Sequence, residues 1–342
     1  MEFGSDFHYI DPSRFSGDGL LSGLFPEAVL LGDGRQCLVA LIRQFGWKRM
    51  WAPAYFCHEV MASVVSMTGI ELAYYADHPL RECPTGQLAG LPYREGDFLL
   101  RMNYFGGRGF RSPADIPVPV VEDHSHDLTG PWAVNSRADW CIASLRKSLP
   151  IPDGGMIWSP KGLILKDVPP LSEAHKRAMD DRWKAMRIKS EYLAGGDVEK
   201  QAFRDLYIRT EAFFDHAEPS AICPETASYL ASFDLRSWFA RKRENWMGLM
   251  GRLDGRGIRF LRPEASDCLS FSLLPVARDE GQRREWKQKM IDAAIYPAIL
   301  WEIPSDLQDD REDRILSLHC DGRYSPGEVE LLAGRLEKIL FA

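Results

Sequence analysis

The stretch Val120-Val121-Glu122-Asp123-His124-Ser125-His126 decides how the rest of the chain is read. Val118 to Glu122 is nearly all apolar, as a strand covered on both faces must be, since neither face meets water. Such a strand delivers Asp123 at its carboxyl end, the edge of an α/β sheet where ligands bind. A carboxylate there can hold the proton of a ring nitrogen, and His126, three residues on, can hydrogen-bond a second group of the same ligand. Asp and Ser in this order also suit a helix N-cap.

Working outward, the same texture recurs. Gly34 to Phe45 carries Leu38, Leu41, Ile42 and Phe45 on a helical stripe after the glycine-rich start Gly32-Asp33-Gly34-Arg35-Gln36. Arg49 to Ala54 reads as a strand stopped by Pro53, His58 to Met67 as a helix, and Ile70 to Tyr75 as a strand. Asp97 to Asn103 is a further strand, closed by Phe105-Gly106-Gly107; Trp140 to Ala143 and Gly155 to Trp158 follow downstream. This alternation predicts an α/β fold with a mostly parallel central sheet. From Ser172 to about Leu253 the chain is charged and rich in helix formers, with a break at Glu218-Pro219. Strands at Ile258 to Leu261, Leu269 to Leu274 and Ile315 to Leu318, with helices at Glu280 to Ala293 and Pro326 to Ile339, predict a smaller C-terminal α/β domain. The expected division is an N-terminal arm over 1–30, a large domain over 31–245 with its helical segment at about 172–245, and a small domain over 246–342. Trp238, Phe239, Trp246, Leu249 and Met250 fall at helical spacing and read as core or subunit-interface packing.

With 342 residues, 45% hydrophobic and 27% charged, the chain has the make-up of an ordinary globular protein too long for one core. Its net charge of −7 is spread without a block of like charges, which argues against a nucleic-acid footprint. The start MEFGSDFHYIDPS lacks a basic region followed by an apolar one, and no apolar run reaches the ~18 residues a bilayer requires, so no membrane role is expected. Seven cysteines, an odd number with no C-x-x-C pair, suggest free thiols in a reducing cytoplasm.

A second segment carries chemistry: Ser144-Leu145-Arg146-Lys147-Ser148-Leu149-Pro150, followed by Asp153-Gly154-Gly155. A lysine pressed against an apolar sheet is a candidate Schiff-base nucleophile, because desolvation and nearby cations lower its pKa. Ser144 and Arg146 suit a phosphate; a basic surface turn is the other reading of the same residues. The helix start at Gly34-Arg35 offers backbone amides to an anion, although it matches neither G-x-G-x-x-G nor the P-loop. Asn103-Tyr104-Phe105-Gly106-Gly107 either lines a cleft or is a plain turn. His124 and His126, two apart, would share one face of a strand, but no third ligand lies nearby in sequence and no metal is expected. A Cys57-His58 hydrolase is disfavoured because adjacent side chains point apart.

Taken in order, the glycine-led helix start, Ala52-Pro53-Ala54-Tyr55-Phe56, E-D-x-x-H, and S-x-x-K followed by two glycines resemble fold-type I pyridoxal-phosphate enzymes. The chain looks most like the DegT/DnrJ/EryC1/StrS, or sugar aminotransferase, family, by motif over roughly Gly32 to Trp158. The resemblance implies that Lys147 holds pyridoxal 5'-phosphate as a Schiff base and shuttles the proton. It implies that Asp123 pairs with the pyridine nitrogen and that His126 lies near the 3-hydroxyl. Gly34, Arg35 and Ser144 would hold the phosphate. Three features depart from the family: Ser144 and Lys147 are three apart rather than five, no threonine follows Gly34, and Cys57 stands where an aromatic usually stacks. Tyr55 or Phe56 would then stack on the ring, or Cys57 face it. Arg323, in Cys320-Asp321-Gly322-Arg323-Tyr324, is a candidate for a substrate carboxylate, as is Tyr104 for the cleft; a surface ion pair with Asp321 is the plainer account of Arg323.

The implied activity is amino transfer from an amino-acid donor to a keto acceptor, a nucleotide-linked keto-sugar among the candidates, by a homodimer with shared sites. The same cofactor also supports dehydration, decarboxylation, lysis or carbon–carbon bond formation on an amino-acid-like substrate. A fold kept only for binding is disfavoured by Lys147, Asp123 and His126 occurring together.

Overall fold

The computed structural model describes residues 1–301 and 314–341. Its centre is a seven-stranded sheet. The strands are β1 (Val29–Leu31), β2 (Arg49–Pro53), β3 (Glu71–Tyr75), β4 (Asp97–Met102), β5 (Val120–Asp123), β6 (Trp140–Ser144) and β7 (Gly155–Trp158). They lie side by side in the order β1-β7-β6-β5-β4-β2-β3. Strands β6, β5, β4, β2 and β3 are parallel neighbours, and β7 runs antiparallel to both β1 and β6. The mostly parallel sheet expected from the alternation is therefore present, with β1 as an edge strand that the sequence reading did not separate from the arm.

Both faces of the sheet are covered, and side chains alternate between them as the pleat requires. Val120, Cys141 and Leu99 pack in one core with Trp183 and Trp238. Val121, Ile142 and Leu100 pack in the other, against Leu38 and Leu41 of α1 (Gly34–Phe45) and Val64 of α2 (His58–Thr68). Helix α1 starts where Asp33 accepts from the Gln36 amide at 2.8 Å. It stops at Gly46, whose φ of 61° closes the helix in the left-handed conformation that glycine tolerates.

The helical stretch resolves into α3 (Glu173–Leu193), α4 (Lys200–Phe214), α5 (Pro224–Leu230) and α6 (Leu235–Leu253), with the expected break between α4 and α5. A third core joins Leu249 and Leu253 of α6 to Trp286 of α7 (Glu280–Asp292) and Leu332 and Leu336 of α8 (Pro326–Leu340). Trp238, Phe239, Leu249 and Met250 are buried inside the chain itself, as core packing. Phe3 belongs to the C-terminal core and Phe3–Gly4 pairs in parallel with Ile295–Tyr296, so the first residues are stitched to the far end of the chain.

Leu269 to Leu274 does not form a strand. Only Leu273 bridges to Leu318, while the Phe271 amide bonds the Phe105 carbonyl at 2.7 Å. The segment bends because Ser270 Oγ donates to the Ser272 carbonyl at 2.7 Å, and this carries Phe271 to the end of the main sheet. Ile258 to Leu261 shrinks to Arg259–Phe260, paired with Pro275–Val276, and Ile315 to Leu318 contributes isolated bridges.

Candidate active site

The carboxyl ends of β5 and β6 are adjacent, with Asp123 in register with Ile142. Beyond Asp123 the chain turns, because Asp123 Oδ1 accepts from the Ser125 amide at 2.8 Å and from Ser125 Oγ at 2.5 Å. The same Ser125 Oγ accepts from the Ser144 amide at 2.8 Å, so one hydroxyl ties the two strand ends together. From Ser144 the chain enters the single turn Leu145–Lys147. That turn is clamped from behind: Ser148 Oγ donates to the Ser125 carbonyl at 3.0 Å, and Trp238 Nε1 donates to the Ser148 carbonyl at 2.9 Å. Lys147 is half-buried, so the reading of this segment as an exposed basic turn does not hold.

Rings surround the lysine. Trp301 stacks on Phe56 at 5.2 Å and on His126 at 5.4 Å between centroids, both at 22° between planes. Tyr55 meets Trp301 edge-on at 5.6 Å, and Phe105 stacks on His126 at 5.3 Å. Lys147 Nζ lies 5.2 Å from the Trp301 ring centre. Tyr104 is buried, donates its hydroxyl hydrogen to the Tyr55 carbonyl, and has the Arg108 guanidinium 4.7 Å above its ring. Phe56 and Tyr55 thus pack against Trp301, Tyr104 stands behind Tyr55, and Cys57 is the N-terminal residue ahead of α2.

His126 and His124 do not share a face, because the strand ends at Asp123. The His126 Nδ1 accepts from the Phe105 amide at 3.2 Å. Burial, reinforced by Lys147 and Lys242, holds the ring far below the usual imidazole pKa, so it is neutral. A neutral ring that accepts at Nδ1 carries its proton on Nε2. That Nε2–H is buried with no partner among the described residues. Asp123 Oδ2 and Lys147 Nζ likewise have no hydrogen bond or ion pair among the described residues. A buried donor, a carboxylate oxygen and an amine left open at one sheet end fit a flat heteroaromatic ligand with a basic ring nitrogen, a ring oxygen and an electrophilic carbon.

The other end of such a ligand would meet the start of α1. A Cβ on Gly34 would lie 3.1 Å from the Ser144 Cβ, and one on Gly155 would lie 2.1 Å from the Asp33 carbonyl. Glycine at these positions lets the helix start close on Ser144 and β7. Arg35 Nη1 pairs with Asp215 at 3.0 Å, and Arg146 grips Glu211 through both Nη atoms at 2.8 and 2.6 Å. Each guanidinium nevertheless keeps a buried Nε without a partner among the described residues. These donors, with Ser144 Oγ and the bare amides of α1, are of the kind that binds phosphate.

Arg323 is engaged within the protein. It is buried, not on the surface, forked onto Asp321 at 2.8 and 3.0 Å, and bonded to the Ser5 and Asp6 carbonyls of the arm. Sequence reasoning missed Trp301, Phe271 and Lys242, because each reaches the site from a distant part of the chain. Two buried groups have metal-like composition, Glu122/His124/Cys141 and Asp153/His175/Cys223. In both, hydrogen bonds within the protein engage the carboxylate oxygens.

No protein-family model matches the sequence, and no curated protein matches it significantly. Solved structures do match over nearly the whole chain. PseC of Helicobacter pylori, an aminotransferase involved in the biosynthesis of pseudoaminic acid, superposes with a TM-score of 0.65 at 12% identity, 99% of this chain on 99% of that one. CalS13 of Micromonospora echinospora, a sugar aminotransferase, gives 0.61 at 12% identity over 98% and 99% of the two chains. The chain has the fold of the sugar aminotransferases. This fold-type I architecture is what the motif order implied. Spr1654 of Streptococcus pneumoniae, assigned as a sugar aminotransferase, is similar at a TM-score of 0.64 and 12% identity over 99% of this chain and 98–99% of that one, and is known in apo, pyridoxal-phosphate and pyridoxamine-phosphate forms.

Proposed function

We propose that the chain is a pyridoxal-phosphate-dependent aminotransferase. One observation carries this reading: Asp123 ends one of two adjacent parallel strands of a fold-type I sheet and Lys147 lies in the turn that follows the other, both open to a ligand, with His126 Nε2–H unpartnered beside them. Pyridoxal phosphate, when bound, supplies an aldehyde that takes up an amine and a ring that withdraws electrons from the bond being broken.

The residues divide the remaining work. Lys147 Nζ would hold the cofactor through its aldehyde carbon and would serve as the base for the proton on the donor's α-carbon. Asp123 Oδ2 would accept from the cofactor's ring nitrogen and favour its protonated form. His126 Nε2–H, unpartnered within the protein, would donate to the ring hydroxyl oxygen. The α1 amides at Gly34 and Arg35, Ser144 Oγ and the two arginine Nε groups hold the phosphate. Phe56 and Tyr55 would flank the cofactor ring, and the surrounding aromatics would keep water from the site.

The acceptor we infer is a keto compound, with a nucleotide-linked keto-sugar favoured by the company of sugar aminotransferases in this fold. The seven cysteines are unpaired, which agrees with a reducing compartment. No helix among the described residues is long and apolar enough to cross a membrane. A homodimer is expected, and light scattering at micromolar concentration checks it.

The test is optical. The purified protein should be yellow, and Lys147→Ala should abolish the visible band of the lysine-bound cofactor. Adding glutamate to the wild type should convert the band to that of the aminated cofactor with release of ketoacid. A colourless protein that takes up no added cofactor overturns the proposal. A coloured one that releases carbon dioxide or water instead of ketoacid redirects it to another reaction of the same cofactor.

A further inference from the structure

Lys242, in the middle of α6, is only 1% exposed. Lysine is almost never buried this completely without a partner. Among the described residues, however, no hydrogen bond or salt bridge engages its Nζ. Its contacts are rings: Nζ lies 5.1 Å from the centre of Phe271 and 5.9 Å from that of Phe239.

Phe271 leads from this lysine to the site. Its ring centre is 4.5 Å from that of His126, and its amide is bonded to the carbonyl of Phe105, which stacks on the same histidine. Lys242 therefore stands one ring away from His126. Together with Lys147 it is one of the two cations whose fields reach that imidazole. Burial lowers the Lys242 pKa, and the fields of Cys320 and of two carboxylates, Asp127 and Asp321, act against it. Asp321 is held by the Arg323 fork, and Asp127 spends Oδ1 on the amides of Thr129 and Gly130 at 3.0 and 2.9 Å. Asp127 Oδ2 is buried without a partner, yet no ion pair joins it to Lys242. An amine buried one ring from His126 with no partner to hold its charge is arranged for an anion that arrives with the substrate.

We propose that Lys242 is the seat for the α-carboxylate of the amino donor. The phosphate-binding donors lie at the other end of the site, around Gly34 and Ser144. The anion at Lys242 is therefore a second, single charge on the substrate. A donor carboxylate placed against Nζ pairs the buried ammonium, whereas an amine lacking it leaves that charge unpaired. The arrangement selects α-amino acids over simple amines by the cost of that unpaired charge. This inference rests on the aminotransferase reading above.

The experiment uses the holoenzyme and two probes of similar size, 2-aminoisobutyrate and isopropylamine, titrated by the change each makes in the visible spectrum. The first has an α-carboxylate and no α-hydrogen, so it binds without turning over; the second lacks the carboxylate. Wild type should prefer the carboxylate probe. Lys242→Met should weaken its binding about 10- to 100-fold, as loss of a charge-assisted contact does, and leave isopropylamine within about twofold. Lys242→Arg should recover part of the preference. Equal affinity of wild type for the two probes overturns the proposal, and so does a parallel loss for both probes in Lys242→Met. If Lys242 only serves Asp127, then Lys242→Met and Asp127→Asn lower the melting temperature without changing the preference, which also overturns it. Should Lys242→Met fail to fold, Lys242→Arg and the wild-type preference still decide. Absence of any visible band in the wild type is a different result, because it removes the aminotransferase reading itself.

Discussion

Glu122 and Asp123 are neighbours on one strand, each buried and each accompanied by a histidine, yet their surroundings are opposite in kind. Glu122 Oε1 is paired with Arg101 at 3.4 Å, and Oε2 accepts from Ser136 at 2.7 Å and contacts His124 Nε2 at 3.3 Å. His124 Nδ1 in turn meets Asn103 Nδ2 at 3.3 Å, so both ring nitrogens are engaged. Asp123 spends one oxygen on Ser125 and His126 one nitrogen on Phe105, and the other atom of each is open. The pleat sends the two acids to opposite faces of the sheet. On Glu122's face the acid and its histidine spend their polar atoms within the protein and fasten strands β4 and β5; on Asp123's face valences are held ready. Buried charge by itself does not mark a site. Buried charge with unspent atoms does.

Exchanging the roles of the two acids should separate stability from chemistry. Glu122→Gln leaves Arg101 buried without its counter-ion and should cost about 3–5 kcal/mol in urea unfolding. Asp123→Asn keeps an acceptor for the Ser125 amide and should move stability by less than about 1 kcal/mol. It should still slow amino transfer about 100- to 1000-fold, because an amide cannot keep a ring nitrogen protonated. If Asp123→Asn unfolds the protein as readily as Glu122→Gln does, the distinction between the two faces is wrong.

The same contrast explains what could be read from the residues alone. Strands β2 to β7 and helix α1 were legible because apolar runs and a glycine-led helix start are local patterns that burial enforces. Asp123, His126 and Lys147 were legible because strand ends place side chains predictably. Trp301 and Lys242 were not, since one follows β-poor sequence far downstream and the other sits on a helix stripe that reads as core. Leu269 to Leu274 misled for a related reason. Its apolar residues alternate with serines as in a strand, but its amide at Phe271 is claimed by Phe105, Ser270 bonds back within the segment and Ser272 pairs with Ser317. Nothing local in those six letters reports that competition.

Acid should act on the open face through His126. Its folded pKa lies well below 6.5, so between the two values the unfolded chain binds a proton that the folded protein excludes. Stability should therefore rise with pH up to about 6.5 and then level off, as far as this group contributes. His8 and His319, lowered to about 3 and about 4, add slopes of the same sign. His126→Asn should flatten the acid limb by one proton, about 1.4 kcal/mol per pH unit, in denaturation midpoints measured between roughly pH 5 and 6.5. An unchanged slope would mean that His126 is protonated in the folded state.

The smallest effect is expected at the hydroxyl that joins the open atoms to the scaffold. Ser125 Oγ donates to Asp123 and accepts from the Ser144 amide, so Ser125→Ala removes one bond from each strand end. The Asp123 carboxylate keeps the Ser125 amide at 2.8 Å, and the Lys147 turn keeps its clamp through Ser148 and Trp238. The two remaining anchors should limit the loss to about 1 kcal/mol of stability and less than about tenfold in rate. A loss of rate as large as that of Asp123→Asn, at unchanged stability, would instead make the serine a working part of the site, with Asp123 unable to hold its orientation without it.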